Sequence, residues 1–435
     1  MSPPQQPFFL LHLLLLLLPH YLFLFSSPQS PPLLQLLPAD REALFDIRQS
    51  LHDLPGSSFF SNWDFSSGSE PCNTFTGVIC SYDSDEEPNF LQVSTLTLGT
   101  GLVDSPGLGG TLPPSITNLT ALTELVVYPG RVSGPIPAEI GFRLLRLRLL
   151  SISGNRLLGP IPSSLSNLPD LHTLDLGQNH LQGPLPPSLF SSNPNLKVLL
   201  LASNGGLCGS LPHEFSDAAK LLHVDLRSNS LTGPLPPPPA SLRFLSAAFN
   251  SLSGPLSPAF TTSPLPNLEF LDLSGNAFSG EVPPAIFSLP ELSSLLLSRN
   301  NLSGQLMVAP QAPLSSSLSV VDISHNMLSG QPPEALATAG SLYLNDNHFT
   351  GTVPTEYINS IYSGTMTTLY AQNNFFTDIS PPPPSTAIPA SASLCASYNC
   401  MVPPPFATAG CPAGARGELP RPADQCSIGA GGGDD

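Results

Sequence analysis

From Val93 to Phe376 one pattern keeps returning: Leu-x-x-Leu-x-Leu-x-x-Asn-x-Leu-x-Gly-x-Ile/Leu/Val-Pro. In its cleanest copy Leu171, Leu174, Leu176, Asn179, Leu181, Gly183, Leu185 and Pro186 fall in order. Setting each Asn under the last places the other copies at Val93, Leu122, Leu147, Leu196, Leu221, Leu242, Leu268, Leu292, Leu318, Ala339 and Met366, about twelve repeats of roughly 24 residues. So short a period leaves few folds open. Leu174 and Leu176 alternate around Asp175 as a short strand with two side chains inward and one outward. No single repeat buries that row. Stacking the next strand at about 4.8 Å does, and the leucines then form one continuous core inside a curved solenoid.

Asn155, Asn179, Asn204, Asn229, Asn250, Asn276, Asn300, Asn326, Asn347 and Asn374 recur at the bend after each strand. A polar side chain repeated inside an apolar core points to an internal ladder that satisfies buried backbone groups. The following glycines, such as Gly183 and Gly254, serve turns, and the prolines after them favour extended backbone over helix. The Gly-x-Ile-Pro ending resembles the plant extracellular subclass of leucine-rich repeats, over most of the chain. That resemblance implies a mostly β, α/β repeat solenoid: a curved right-handed superhelix with short parallel strands on its concave side, little helix on its convex side, and a cap at each end.

Composition bears on this in two ways. The 53 Pro and 34 Gly in 435 residues reach the range of disordered tracts, but their fixed spacing places them in turns. A net charge of −17, from 14 Lys+Arg against 31 Asp+Glu, disfavours a nucleic-acid partner or an anionic membrane surface. Phe8 to Phe25 is almost wholly apolar and Ser26 to Pro32 is small, polar and Pro-rich, which reads as a signal peptide over residues 1–28. A signal anchor is the alternative, although His12, Pro19 and His20 interrupt a run that barely reaches spanning length. No later stretch is apolar enough to span a bilayer. The end, a flexible tail at 427–435, lacks the hydrophobic segment of a lipid-anchor signal, and no kinase motifs follow the repeats. A secreted, extracellular or cell-wall protein is expected.

Six of the seven cysteines lie outside the repeats. Cys72 and Cys80 fall in a segment, 38–90, where Asp40 is placed to cap a short amphipathic helix carrying Ala43, Leu44, Ile47 and Leu51, followed by Trp63 and Gly77-Val78-Ile79-Cys80. This is similar to the N-terminal cap of plant leucine-rich-repeat receptors and receptor-like proteins, with Phe75 where that family often has Trp. Such a cap covers the open edge of the first repeat. After the repeats (91–378), Cys395, Cys400, Cys411 and Cys426 form a second cluster in a Pro-rich segment, 379–426. Disulfides are expected, in any of three connectivities, and a four-thiolate zinc site is the competing arrangement. Cys208 is left over, as a free thiol or an intermolecular partner. Asn118 and Asn301 begin N-x-[ST] sequons, and Asn301, directly after a ladder Asn, should point outward and accept a glycan.

Function falls to the outward strand positions, since leucines, asparagines and glycines serve the fold. His223, Phe244 and Phe270 share one outward column, with Arg227, Phe249 and Arg299 towards the strand ends. Exposed aromatics beside Arg are typical of binding hot spots, though an aromatic here also serves simply to stack along the ladder. Tyr343 and Tyr370 make a second patch, and Asp175, Asp225, Asp272 and Asp322 an acidic stripe that common Leu-Asp-Leu filler also explains. In the N-terminal repeats Gly101 and Gly130 replace Asn, and Leu102 to Gly110 is an insertion. No catalytic constellation, metal spacing or cofactor motif emerges; His172 with Asp175 and His325 with Asp322 are possible neighbours that lack a nucleophile. The expected function is binding of a protein or peptide, a receptor-kinase ectodomain among the candidates, in cell-surface signalling or defence. An inhibitor of wall hydrolases, resembling polygalacturonase-inhibiting proteins, and a wall-associated scaffold are the alternatives.

Overall fold

A computed structural model describes residues 34–66, 68–82, 90–102, 105–261, 264–308, 318–381, 387–402, 411 and 420–426. The apolar leader (8–25), the acidic run (83–87) and the tail (427–435) lie outside them. Each repeat contributes one strand to a fifteen-stranded sheet, in chain order from Phe90–Leu98 through Thr173–Asp175 to Ser393–Cys395. Neighbouring repeats pair in parallel with an unbroken register, so that Leu174 lies opposite Leu150 on one side and Leu199 on the other. Their side chains are fully buried.

The turn after each strand builds a second sheet. Most of its thirteen strands come from the Leu-x-Gly segments, among them His180–Gly183 and Ala277–Gly280, while the first, Leu51–Asp53, comes from the N-terminal cap and pairs antiparallel. The sequence pattern places turns there and does not announce a ladder, because the segment is only four residues long and ends on Gly. Leu181 is nevertheless buried while its neighbours His180 and Gln182 are exposed, a strand alternation in miniature. The remaining side carries single helical turns such as Ser163–Asn167 and Pro284–Phe287, and one longer helix, Thr355–Ser363, closed by Gly364 in the left-handed region at φ 77°.

The asparagines form the internal ladder. Asn300 is representative: its Oδ1 accepts the Phe278 N–H at 3.0 Å, and its Nδ2 donates to the carbonyls of Leu273, Leu297 and Ser298. From Asn155 to Asn374 every rung accepts a backbone N–H of the preceding coil, and all but one take it from the residue two past the previous rung position. Asn229 accepts from the backbone N–H of Asn204, because Gly205-Gly206 adds a residue to that turn. The residue before a rung is repeatedly left-handed: Gln178, Ser203, Ser228, Phe249, Arg299, His325, Asp346 and Asn373 all have positive φ.

The N-terminal cap docks differently from the sequence expectation. The helix runs Pro38–Ser50 and has no side-chain cap, since Pro38 itself starts it. Asp40 therefore sits inside the first turn, completely buried, where its Oδ2 accepts the Val93 N–H of the first repeat at 2.7 Å and its Oδ1 has no partner. Burial outweighs that hydrogen bond and raises its pKa to about 6. Trp63 stacks on Phe75 at 5.0 Å and donates its Nε1–H to the Thr76 carbonyl, so Phe75 fills the aromatic position. Cys72 is bonded to Cys80.

At the other end the solenoid runs one coil beyond the twelve repeats legible in sequence. Ser393–Cys395 pairs with Thr368–Tyr370, and Asn399 is a further rung, accepting the Phe376 N–H at 3.1 Å. Bonds Cys395–Cys411 and Cys400–Cys426 fix the connectivity that the sequence left open, and Cys208 is free and exposed. Arg421 seals this end, donating to the Asn374 carbonyl while its guanidinium lies over the Phe375 ring at 4.1 Å.

Two outcomes are expected. Asn300→Ala orphans one buried N–H and three carbonyls and should destabilise by about 3 kcal/mol in urea unfolding, against under about 0.5 kcal/mol for Asn301→Ala. Asp40 carries a raised pKa in the folded state, so its contribution is fully present below pH ~4 and falls by up to about 3 kcal/mol as pH rises through 6. Urea unfolding across pH 4–7, with Asp40→Asn as the control that flattens this dependence, checks it.

Candidate binding face

The register of the long sheet sets its outward residues in columns. His223 lies opposite Phe244, and Phe244 opposite Phe270. The imidazole stacks on Phe244 at 4.1 Å and 18°, and the two phenyl rings lie 4.4 Å apart and 4° from parallel. All three are half-buried, with one side open to solvent. Burial in this stack lowers the His223 pKa, with Asp225 opposing, so the ring is held neutral.

The next outward column holds Asp175, Leu200, Asp225, Ser246, Asp272, Leu296, Asp322, Tyr343 and Tyr370 in unbroken register. The aspartates serve their own turns. Each accepts the backbone N–H two residues on: Gly177 for Asp175, Arg227 for Asp225, Ser274 for Asp272 and Ser324 for Asp322. Burial raises the pKa of Asp272. Arg227 pairs through Nε with Asp225 at 3.3 Å and does not join the rings. Phe249 and Arg299 project from the left-handed positions at the strand exits, Phe249 with 58% of its surface exposed. Tyr343 and Tyr370 meet edge to face at 5.3 Å, in the aspartate column rather than that of Phe244. Asn118 ends a helical turn and is half-buried, whereas Asn301 is exposed on the second sheet.

Two sequence-level pairings are corrected here. His325 meets Asp346 at 3.5 Å, not Asp322, whose carboxylate is engaged by Ser324; the left-handed backbone turns His325 toward the next rung. Asp175 is taken by Gly177 and Ser151 rather than His172. One feature escaped notice in the sequence. Arg148, His172, Lys197, Leu222 and Arg243 stand in one column just before the strands, each joined to the next by a backbone hydrogen bond of 2.8–2.9 Å. Aligning the repeats position by position would have found it, but the column lies outside the Leu-x-Leu alternation.

Among the described residues no group of His, Cys, Asp and Glu is arranged to hold a metal ion. No helix among them is long and apolar enough to cross a membrane.

Two family models match the chain: the leucine rich repeat N-terminal domain at residues 37–81, and the Leucine Rich Repeat at 146–168, 170–192, 267–289 and 317–339. The chain carries leucine-rich repeats behind their N-terminal domain and is similar to plant leucine-rich-repeat receptors. It is 32% identical over 156 residues to phytosulfokine receptor 1 of Arabidopsis thaliana, a match covering 36% of this chain and 14% of that one. Among solved structures it is similar to PEPR1–AtPEP1, at TM-score 0.63 and 26% identity over 84% of this chain and 52% of the other. The plant peptide hormone receptor RGFR1 in complex with RGF2 follows at 0.57 and 28%, over 75% and 53%. A plant ice-binding protein matches at 0.54 and 25%, over 82% and 100%. The leucine-rich-repeat chain thus spans about half the length of the two receptor structures and a small part of the curated relative.

Proposed function

We propose that this protein is secreted and binds a protein or peptide through the concave strand face, as a receptor-like or co-receptor component of plant cell-surface signalling or defence. Fold alone does not select this reading, since an ice-binding protein shares it. The observation that carries it is the stack of His223, Phe244 and Phe270. Three rings in register keep a solvent face that the core does not use, beside the exposed ring of Phe249. Preformed aromatic surface of this kind binds at low entropic cost. The likeness to RGFR1, a peptide hormone receptor in complex with RGF2, supports a peptide as the class of partner. Asn301 lies on the second sheet, so a glycan there leaves the strand face open.

Affinity capture from plant wall and membrane extracts checks this, using the secreted glycosylated protein beside its Phe244→Ala/Phe249→Ala/Phe270→Ala variant. A receptor ectodomain or peptide retained by the first and released at least about tenfold by the second is the expected result. Retention of a wall hydrolase would replace the proposal with an inhibitor, and the absence of any saturable partner would replace it with a scaffold.

A further inference from the structure

The chain carries more than two acidic groups for each Lys or Arg, yet Arg148, His172 and Lys197 follow one another on three consecutive repeats. None of the three side chains has a hydrogen-bond or ion-pair partner among the described residues. Glu124, exposed and in register opposite Leu149, is the neighbouring carboxylate at the Arg148 end, and several other nearby charges are occupied. Arg243 pairs with Glu269, Lys220 donates to Asn195, and the Asp175 and Asp225 carboxylates are held by their own turns and by Ser151 and Arg227. Leu222 continues the column after Lys197 and is exposed, and the aromatic stack begins beside it at His223.

We propose that this face takes an extended peptide bearing an acidic side chain three to five residues from an aromatic or large apolar one. The acid sits over Arg148, His172 and Lys197, and the apolar side chain over Leu222, Phe244 and Phe270. This deepens the peptide-binding reading above and rests on it. Charge complementarity selects the acid, because Arg148 and Lys197 offer a carboxylate attraction on a molecule whose net charge of −17 otherwise repels it. Geometry sets the spacing. Lys197 and Phe244 are two strand steps apart and Lys197 and Phe270 three, roughly 10 and 14 Å at about 4.8 Å per step, and an extended chain advances about 3.3 Å per residue.

The test is selection of a displayed random dodecapeptide library on the full glycosylated protein, followed by affinity measurement with the synthesised winners. Enriched peptides should share Asp or Glu at the stated distance from Phe, Trp, Tyr or Leu. Their affinity should fall about tenfold or more in Arg148→Glu/Lys197→Glu and weaken from about 50 to about 300 mM NaCl. Replacing the peptide's acid by Lys should restore binding to the reversed variant, which a misfolded variant cannot do. Winners without acidic enrichment, or affinity within about twofold after charge reversal, overturn the acidic class. If Phe244→Ala/Phe270→Ala then still abolishes binding, the strand-face reading survives alone; if neither variant loses affinity, both fall.

Discussion

Everything in this molecule depends on how backbone polar groups are satisfied at the bend after each strand. A chain that turns inside an apolar core cannot leave its N–H and C=O groups unpaired without losing about 1–3 kcal/mol for each. One asparagine side chain per repeat meets the demand, accepting from the preceding coil and donating to carbonyls of both, as Asn179 does with Leu157, Ile152 and Leu176. The rung therefore fixes the register between coils as well as the bend. Register in turn decides which outward side chains become neighbours. The stacking of His223 on Phe244 and of Phe244 on Phe270 is a consequence of the ladder, not of any attraction strong enough to organise the sheet itself.

Much of this was legible in the sequence because the constraint repeats. Leucine spacing gave the strands, asparagine spacing the ladder, and the aligned columns the ring stack. What stayed hidden was whatever does not repeat or whatever breaks the repeat's vocabulary. Asp40 reads as a helix cap because Asp commonly caps, but Pro38 already begins the helix and turns the carboxyl inward against Val93. The coil at Ser393–Cys395 is disguised by Ser391 and Ala396 in leucine positions, and only Leu394 and the buried Asn399 betray it. The second sheet is invisible to a search for alternation over four or more residues, since Leu-x-Gly shows a single alternation per strand.

The candidate face shows the same division. The aromatic column lies within the strand alternation and was readable; the column of Arg148, His172 and Lys197 lies one residue before it and was not. The aspartate stripe illustrates the opposite error, in which a suggestive charge pattern is a local solution. Each Asp closes a turn on the N–H two residues later, which leaves it little freedom to meet a partner. The His325–Asp346 contact arises from left-handed backbone before the rung, a conformation sequence spacing does not reveal.

The central claim is that the partner lies on the strand face and not on the second sheet, where Met327 of Met327–Gly330 is exposed, or on the side of the helical turns, where Phe142 of Ile140–Arg143 is exposed. Hydroxyl-radical footprinting, read by mass spectrometry with and without the captured partner, tests it directly. The account predicts that oxidation of Phe244, Phe249 and Phe270 falls on binding while exposed Phe142 and Met327 react unchanged. Shielding of Phe142 or Met327, with Phe244 and Phe270 unaffected, would contradict it.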